Sequence, residues 1–190
     1  MAKTKIGFAL TGSFCTFKRV LDVVEDLVKL GFDVLPILSY ASSASDTRFM
    51  KAEFLKSELM RVTGHAPLDT LQQVEPIGPK KMVDALVIAP CTGNSLAKLA
   101  HGIADTPVLL AAKSTLRNAN PVVIGVSTND GLAAAAQNIG ILLARKNIYF
   151  VPFGQDDHIA KPASIVAHME KVAQTLEAAL QGKQVQPVLE

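Results

Sequence analysis

The chain is 190 residues long, 49% hydrophobic and 19% charged, with 19 Lys and Arg against 17 Asp and Glu for a formal net charge of +2. High hydrophobicity with little net charge excludes global disorder, scattered cations exclude a dominant electrostatic grip on nucleic acid, and no apolar run approaches the ~18 residues of a membrane span. A chain of this size buries roughly 70% of its unfolded surface, so one domain over residues 1–181 with a tail over 182–190 is expected, and a charged fraction below the usual ~25% predicts some surface covered by other subunits.

Lys3 and Lys5 precede an apolar run, Ile6 to Leu10, that is too short for the core of a secretory leader. Cys15 and Cys91 are the two cysteines and no CxxC occurs. Neither a disulfide framework nor a cysteine zinc site is expected, and a reducing, cytoplasmic location is. Residues 5–11 read as a first strand closed by Gly12-Ser13. Val20, Val23, Val24, Leu27 and Leu30 recur at helical spacing and predict a helix over about 14–30, stopped by Gly31. A second strand spans 32–38, a loop 40–48 and a helix 49–62. The run 84–89 reads as a buried strand, and 94–101 and 107–116 as helices. A strand over 121–126 precedes a helix over 132–145 that is apolar around much of its circumference, a natural subunit contact. A last strand at 148–152, a loop at 152–162 and a helix at about 163–180 complete the pattern, with a loosely held tail from Gly182 onward. Continuous apolar strands separated by helices imply an α/β fold with a mostly parallel sheet covered on both faces and right-handed crossovers.

Ligands bind beyond the carboxyl ends of such strands. Four of these ends are small or polar: Thr11-Gly12-Ser13, Ser39 with Ser42 and Ser43, Pro90 through Ser95, and Ser127-Thr128-Asn129-Asp130. Gly12 lets the backbone approach an anion, Ser13 adds a hydroxyl and the following helix adds its N-terminal dipole. The plainer reading of Ser13 is a helix cap. Neither GxGxxG nor GxxxxGK[ST] is present. Thr92, Asn94 and Ser95 can hydrogen-bond a flat polar heterocycle for which Gly93 leaves room. Alone this stretch reads as a capping turn, and the convergence of four polar ends favours binding.

The segment Ala89-Pro90-Cys91-Thr92-Gly93-Asn94-Ser95, with Lys98, Ala100, Gly102 and Asp105 after it, resembles the Pro-Ala-Ser-Ala-Asn-Thr motif of the flavin-containing cysteine decarboxylase-like flavoproteins. Thr11-Gly12-Ser13 is similar to the family's phosphate-binding turn. The resemblance implies a three-layer Rossmann-like flavoprotein fold and FMN held by Gly12, Ser13, Ser39, Thr92, Gly93, Asn94, Ser95, Ser127 and Thr128. It also implies a homo-oligomer, trimer or larger, with cofactor sites at subunit contacts. Cys15-Thr16, Asp46 to Phe49, Ala111 to Asn118, Val126 to Asp130 and Lys146 to Asp156 resemble one branch of the family. That branch implies a two-subunit enzyme of sporulating bacteria, acting in the mother cell beside a nicotinamide-dependent subunit that carries NADP and yielding pyridine-2,6-dicarboxylate.

Two departures bear on activity. The motif reads Pro90-Cys91-Thr92-Gly93-Asn94-Ser95, and residues 71–83 contain no histidine where the family's decarboxylases carry a catalytic one. His65 lies further upstream. The missing histidine argues against cysteine-type decarboxylation, and the changed motif bears on flavin binding; the alternative readings are another FMN-dependent enzyme of the family (a decarboxylase or a flavin prenyltransferase) or a non-catalytic subunit that activates its partner. The implied dicarboxylate needs cations, for which Arg48, Lys113 and Arg117 are candidates, Lys113 and Arg117 sharing a helix face. Solvated surface charge is the plainer reading of each. Cys15, at a helix start that can lower a thiol pKa, and His101, on the helix after the motif, are the catalytic candidates, with packing and surface roles the plainer readings. Asp156, Asp157 and His158 suggest an acidic lid or surface turn, and no metal is expected.

Overall fold

A computed structural model describes residues 3–190; residues 1 and 2, where the expected domain begins, lie outside the described residues. Five strands run parallel: β1 (Lys5–Leu10), β2 (Asp33–Leu38), β3 (Ala85–Cys91), β4 (Val122–Thr128) and β5 (Ile148–Phe150). Their order is β2-β1-β3-β4, with β5 also on β4. β3 is buried at every position, which is why its sequence is continuously apolar instead of alternating. Two short strands, β6 (Phe153–Gly154) and β7 (Ile165–Ala167), join antiparallel, β7 pairing with the end of β4.

Helices cover both faces. α1 (Phe17–Lys29) and α8 (Val172–Leu180) pack together on one face, and α5 (Gly93–Ala100), α6 (Pro107–Arg117) and α7 (Ala136–Leu143) on the other. α3 (Ala52–Thr63) packs against α1 and β2. The short helices α2 (Tyr40–Ala44) and α4 (Leu71–Val74) fill connections. α1 buries Val20, Val23, Val24 and Leu27, the stripe its spacing predicts. One core holds Phe8, Leu86, Ile88 and Phe150, all below 2% exposed. No helix among the described residues is long and apolar enough to cross a membrane.

Four elements differ from the sequence reading. The helix expected over 163–180 begins only at Val172, because Ile165 and Val166 pair with Thr128 and Ser127 instead. Short apolar runs do not distinguish strand from helix, and here a tertiary partner decides. The helix expected over 132–145 begins at Ala136, and Gly131 packs so tightly on Ile165 that a Cβ there would lie 2.6 Å from it. The loop expected over 40–48 contains α2, capped by the Ser39 side chain. The tail is held instead of loose: Phe153 N–H donates to Val188 O (3.0 Å) and Glu190 N–H to Phe153 O (3.1 Å), while the Gln184 amide bonds both N–H and C=O of Phe150. It covers hydrogen-bonding groups that a short edge strand leaves open.

Candidate functional site

Three strand ends are tied together by hydroxyls. Thr11, 1% exposed, donates to Pro90 O (2.7 Å) and accepts from Thr92 N–H (3.0 Å), joining β1 to β3. Ser13 Oγ lies 2.8 Å from Ser127 Oγ, joining β1 to β4. Ser42 Oγ donates to Leu10 O (2.9 Å), and Ser39 Oγ accepts from Ser42 N–H, joining β1 to α2. Thr92 caps α5 by accepting from Ser95 N–H, so its capping reading is realised together with its place at the cleft.

Two cavities open between these ends. One, of about 390 Å³, is lined by Gly12, Ser13, Thr92, Ser127 and Thr128, together with Cys15, Arg19 and the loop residues Asp156 and Lys161. The other, of about 270 Å³, is lined by Gly12, Ser39, Thr92, Asn94 and Ser95, with Tyr40 and Thr106. They meet over Gly12 and Thr92. Eight of the nine residues expected to hold a cofactor line one or both. Gly93 lines neither. It sits under the Thr128–Asp130 hydrogen bond, where a Cβ would lie 2.8 Å from both side-chain oxygens.

Arg19, in the first turn of α1, makes no ion pair among the described residues. Lys161 stands 3.5 Å from Asp156. Two cations and one carboxylate therefore face the larger cavity, leaving it electropositive. Its hydroxyls, the Asn94 amide and these cations form a donor-rich lining suited to an anionic group carrying a flat heterocycle, and such a cleft is of the size that takes a small molecule.

The other predicted residues are dispersed. Cys15 is exposed and lines the larger cavity, its sulfur 4.0 Å from Ser13 Oγ. Cys91 is fully buried, and burial pushes its thiol up to about 12, which leaves it without nucleophilic character near neutral pH. His101 ends α5 on the side away from Thr92, its Nδ1 2.9 Å from Ala97 O. Arg48 is exposed with its guanidinium 4.8 Å over the Phe49 ring, lining neither cavity. Lys113 and Arg117 line a separate cavity between α5 and α6. His65 pairs with Asp33 at the start of β2, the opposite end of the sheet. No group of three His, Cys, Asp or Glu residues among the described ones is placed to hold a metal. Sequence reasoning passed over Arg19 and Lys161. Arg19 breaks no apolar spacing in α1, and Lys161 reaches the cleft through the pairing of β7 with the end of β4.

The profile of the flavoprotein family matches residues 1–179. The dipicolinate synthase B subunit of Bacillus subtilis is 47% identical over 186 residues, covering 97% of this chain and 92% of that one. The crystal structure of the dipicolinate synthase B subunit from Bacillus halodurans superposes with a TM-score of 0.91 at 48% identity, covering 100% of this chain and 97% of that one. The FMN-dependent cysteine decarboxylase SpaF shares the fold at 23% identity and a TM-score of 0.69, over 95% of this chain and 98% of that one.

Proposed function

The chain belongs to the flavoprotein family, in the branch of the dipicolinate synthase B subunits, and from that premise we propose that it is the FMN-binding subunit of a two-subunit dipicolinate synthase. The observation that carries this reading is the pair of cavities meeting over Gly12 and Thr92, ringed by hydroxyls and edged by Arg19 and Lys161. Ser39, Thr92, Asn94 and Ser95 hold FMN on one side of that junction, and Ser13, Ser127 and Thr128 on the other. When bound, FMN supplies a two-electron acceptor for a hydride. Arg19 and Lys161 grip the carboxylates of the ring substrate at the larger cavity, where charge-assisted bonds orient it. Of the earlier cation candidates, Arg48, Lys113 and Arg117 lie outside both cavities, so this role passes to the two cations that line the cleft.

Loss of one water from a hydroxytetrahydrodipicolinate gives dihydrodipicolinate, and removal of one hydride and one proton then gives pyridine-2,6-dicarboxylate. The A subunit carries NADP and completes the enzyme in the cytoplasm of the sporulating mother cell. The exposed aromatic rings of Tyr40, which lines the smaller cavity, and of Phe49 and Phe54 support a homo-oligomer, trimer or larger, that covers them.

Two measurements test the reading. Purified chain titrated with FMN should quench flavin fluorescence at one equivalent per subunit, and a chain that takes up no FMN sinks the cofactor assignment. Reconstituted with the A subunit and precursor, the chain should raise pyridine dicarboxylate formation above that of the A subunit alone. An equal rate without it sinks the synthase assignment.

A further inference from the structure

Away from the cleft, a cavity of about 430 Å³ lies between α5 and α6. Its floor is apolar, built from Leu99, Leu109 and Leu116, with Ile103 48% exposed at the rim. Lys113, Arg117 and Arg145 stand around it. Arg145 also lines a neighbouring cavity of about 630 Å³, to which Lys146 contributes, so the two adjoin at Arg145. No Asp or Glu lines either cavity, and among the described residues none of these four cations is in an ion pair. The Arg145 guanidinium donates to Leu99 O (3.2 Å) and Ala100 O (2.5 Å) at the end of α5, which fixes its position and leaves its charge without a carboxylate. Leu109 borders both this surface and the smaller half of the cleft. α5 likewise begins at the cleft with Thr92–Ser95 and ends here at Leu99.

We propose that this surface docks the nicotinamide-dependent subunit through a segment of that chain bearing both aliphatic and carboxylate side chains. The proposal rests on the two-subunit reading above and assigns the place of contact. Charge and apolarity together select the occupant: an apolar floor within a ring of unpaired cations is satisfied by a partner that brings carbon to the floor and carboxylates to the rim. A second copy related by a two-fold axis would set these cations against themselves. A nucleic acid would meet the cations and leave Ile103 uncovered. Docking here leaves the cleft open and places the partner one side chain, Leu109, from it.

The test is sedimentation of the full chain with the A subunit of the same organism, at about 0.05 and about 0.5 M salt. Lys113→Glu with Arg117→Glu should weaken the complex about tenfold or more at low salt, while FMN uptake and the self-assembly of this chain stay as in the wild type. Because Arg117 packs against Gly78, Lys113→Glu with Lys146→Glu serves as a second variant with the same expected loss. Lys18→Glu, exposed on α1, should bind as the wild type does. Charge-reversed chains that bind the A subunit undiminished overturn the proposal, as do variants that lose self-assembly or duplex DNA binding instead. A wild-type chain that binds no A subunit overturns the two-subunit reading itself, an outcome distinct from a failure of the variants.

Discussion

Ser13 Oγ and Ser127 Oγ lie 2.8 Å apart although 114 residues separate them in sequence. The bond holds the loop after β1 against the end of β4 in the lining of the larger cavity, and each hydroxyl retains capacity for a ligand. Ser13→Ala removes one partner and leaves Ser127 with an unmet group. The expected result is an FMN affinity about tenfold weaker, of the order of one lost hydrogen bond, with little change in fold. Fluorescence titration reads it, and an unchanged affinity would detach Ser13 from the cofactor.

Gly93→Ala places a methyl 2.8 Å from Thr128 Oγ1 and Asp130 Oδ1. Overpacking of this kind costs about 1–3 kcal/mol. Urea unfolding should show the loss, and FMN affinity should fall with it. Adding Asp130→Ala removes one of the two clashing oxygens, so the double variant should regain part of both.

The two cysteines should separate in their chemistry. Cys15 is exposed at the cleft, whereas Cys91 is buried with its thiol pushed up to about 12 by desolvation. A maleimide should label Cys15 alone in the native chain, by mass spectrometry, and saturating FMN should slow it. Labelling at Cys91 without unfolding would contradict the burial.

Arg19→Gln should weaken binding of pyridine-2,6-dicarboxylate about tenfold, as expected for loss of one charge-assisted hydrogen bond. Calorimetry on the FMN-loaded chain reads this directly. Equal affinity in the variant would place the carboxylates elsewhere.

Asp69 links α2 to α3: it accepts from Ser43 Oγ at 2.5 Å and pairs with Lys56 at 3.2 Å. The Ser43 hydrogen bond foremost, then Lys56, holds its carboxyl below the usual carboxylate value. A depressed folded-state pKa adds stability that is present above the unfolded value and is lost as pH falls through the folded one. Stability should therefore decline as pH falls below the unfolded carboxylate value of about 3.9. Ser43→Ala should lower stability at neutral pH and flatten that decline, measured by denaturant unfolding across the range.

The parallel strands were legible because burial on both faces leaves an apolar run that needs no context to be read, as in β1, β3 and β4. The small and polar residues after each run were legible for the same reason: they break apolarity where the chain leaves the sheet. Eight of the nine cofactor candidates stand at the two cavities on that basis. The cations were not legible, since a lysine or arginine on a helix carries no local mark of what it faces.

Sequence alone thus determined the α/β class, the strand ends and the residue types available there, because these follow from local apolarity and its interruption. Tertiary structure decided which cations face the cleft. Arg19 is there because α1 starts at the carboxyl edge of the sheet. Lys161 is there because Ile165 and Val166 leave a helical continuation to pair with β4, folding residues 155–162 over the opening. It also divided the cations into two groups: Arg19 and Lys161 at the cleft, and Lys113, Arg117, Arg145 and Lys146 around a second surface. That division depends on how helices pack across the sheet, a relation between distant segments that no local pattern encodes.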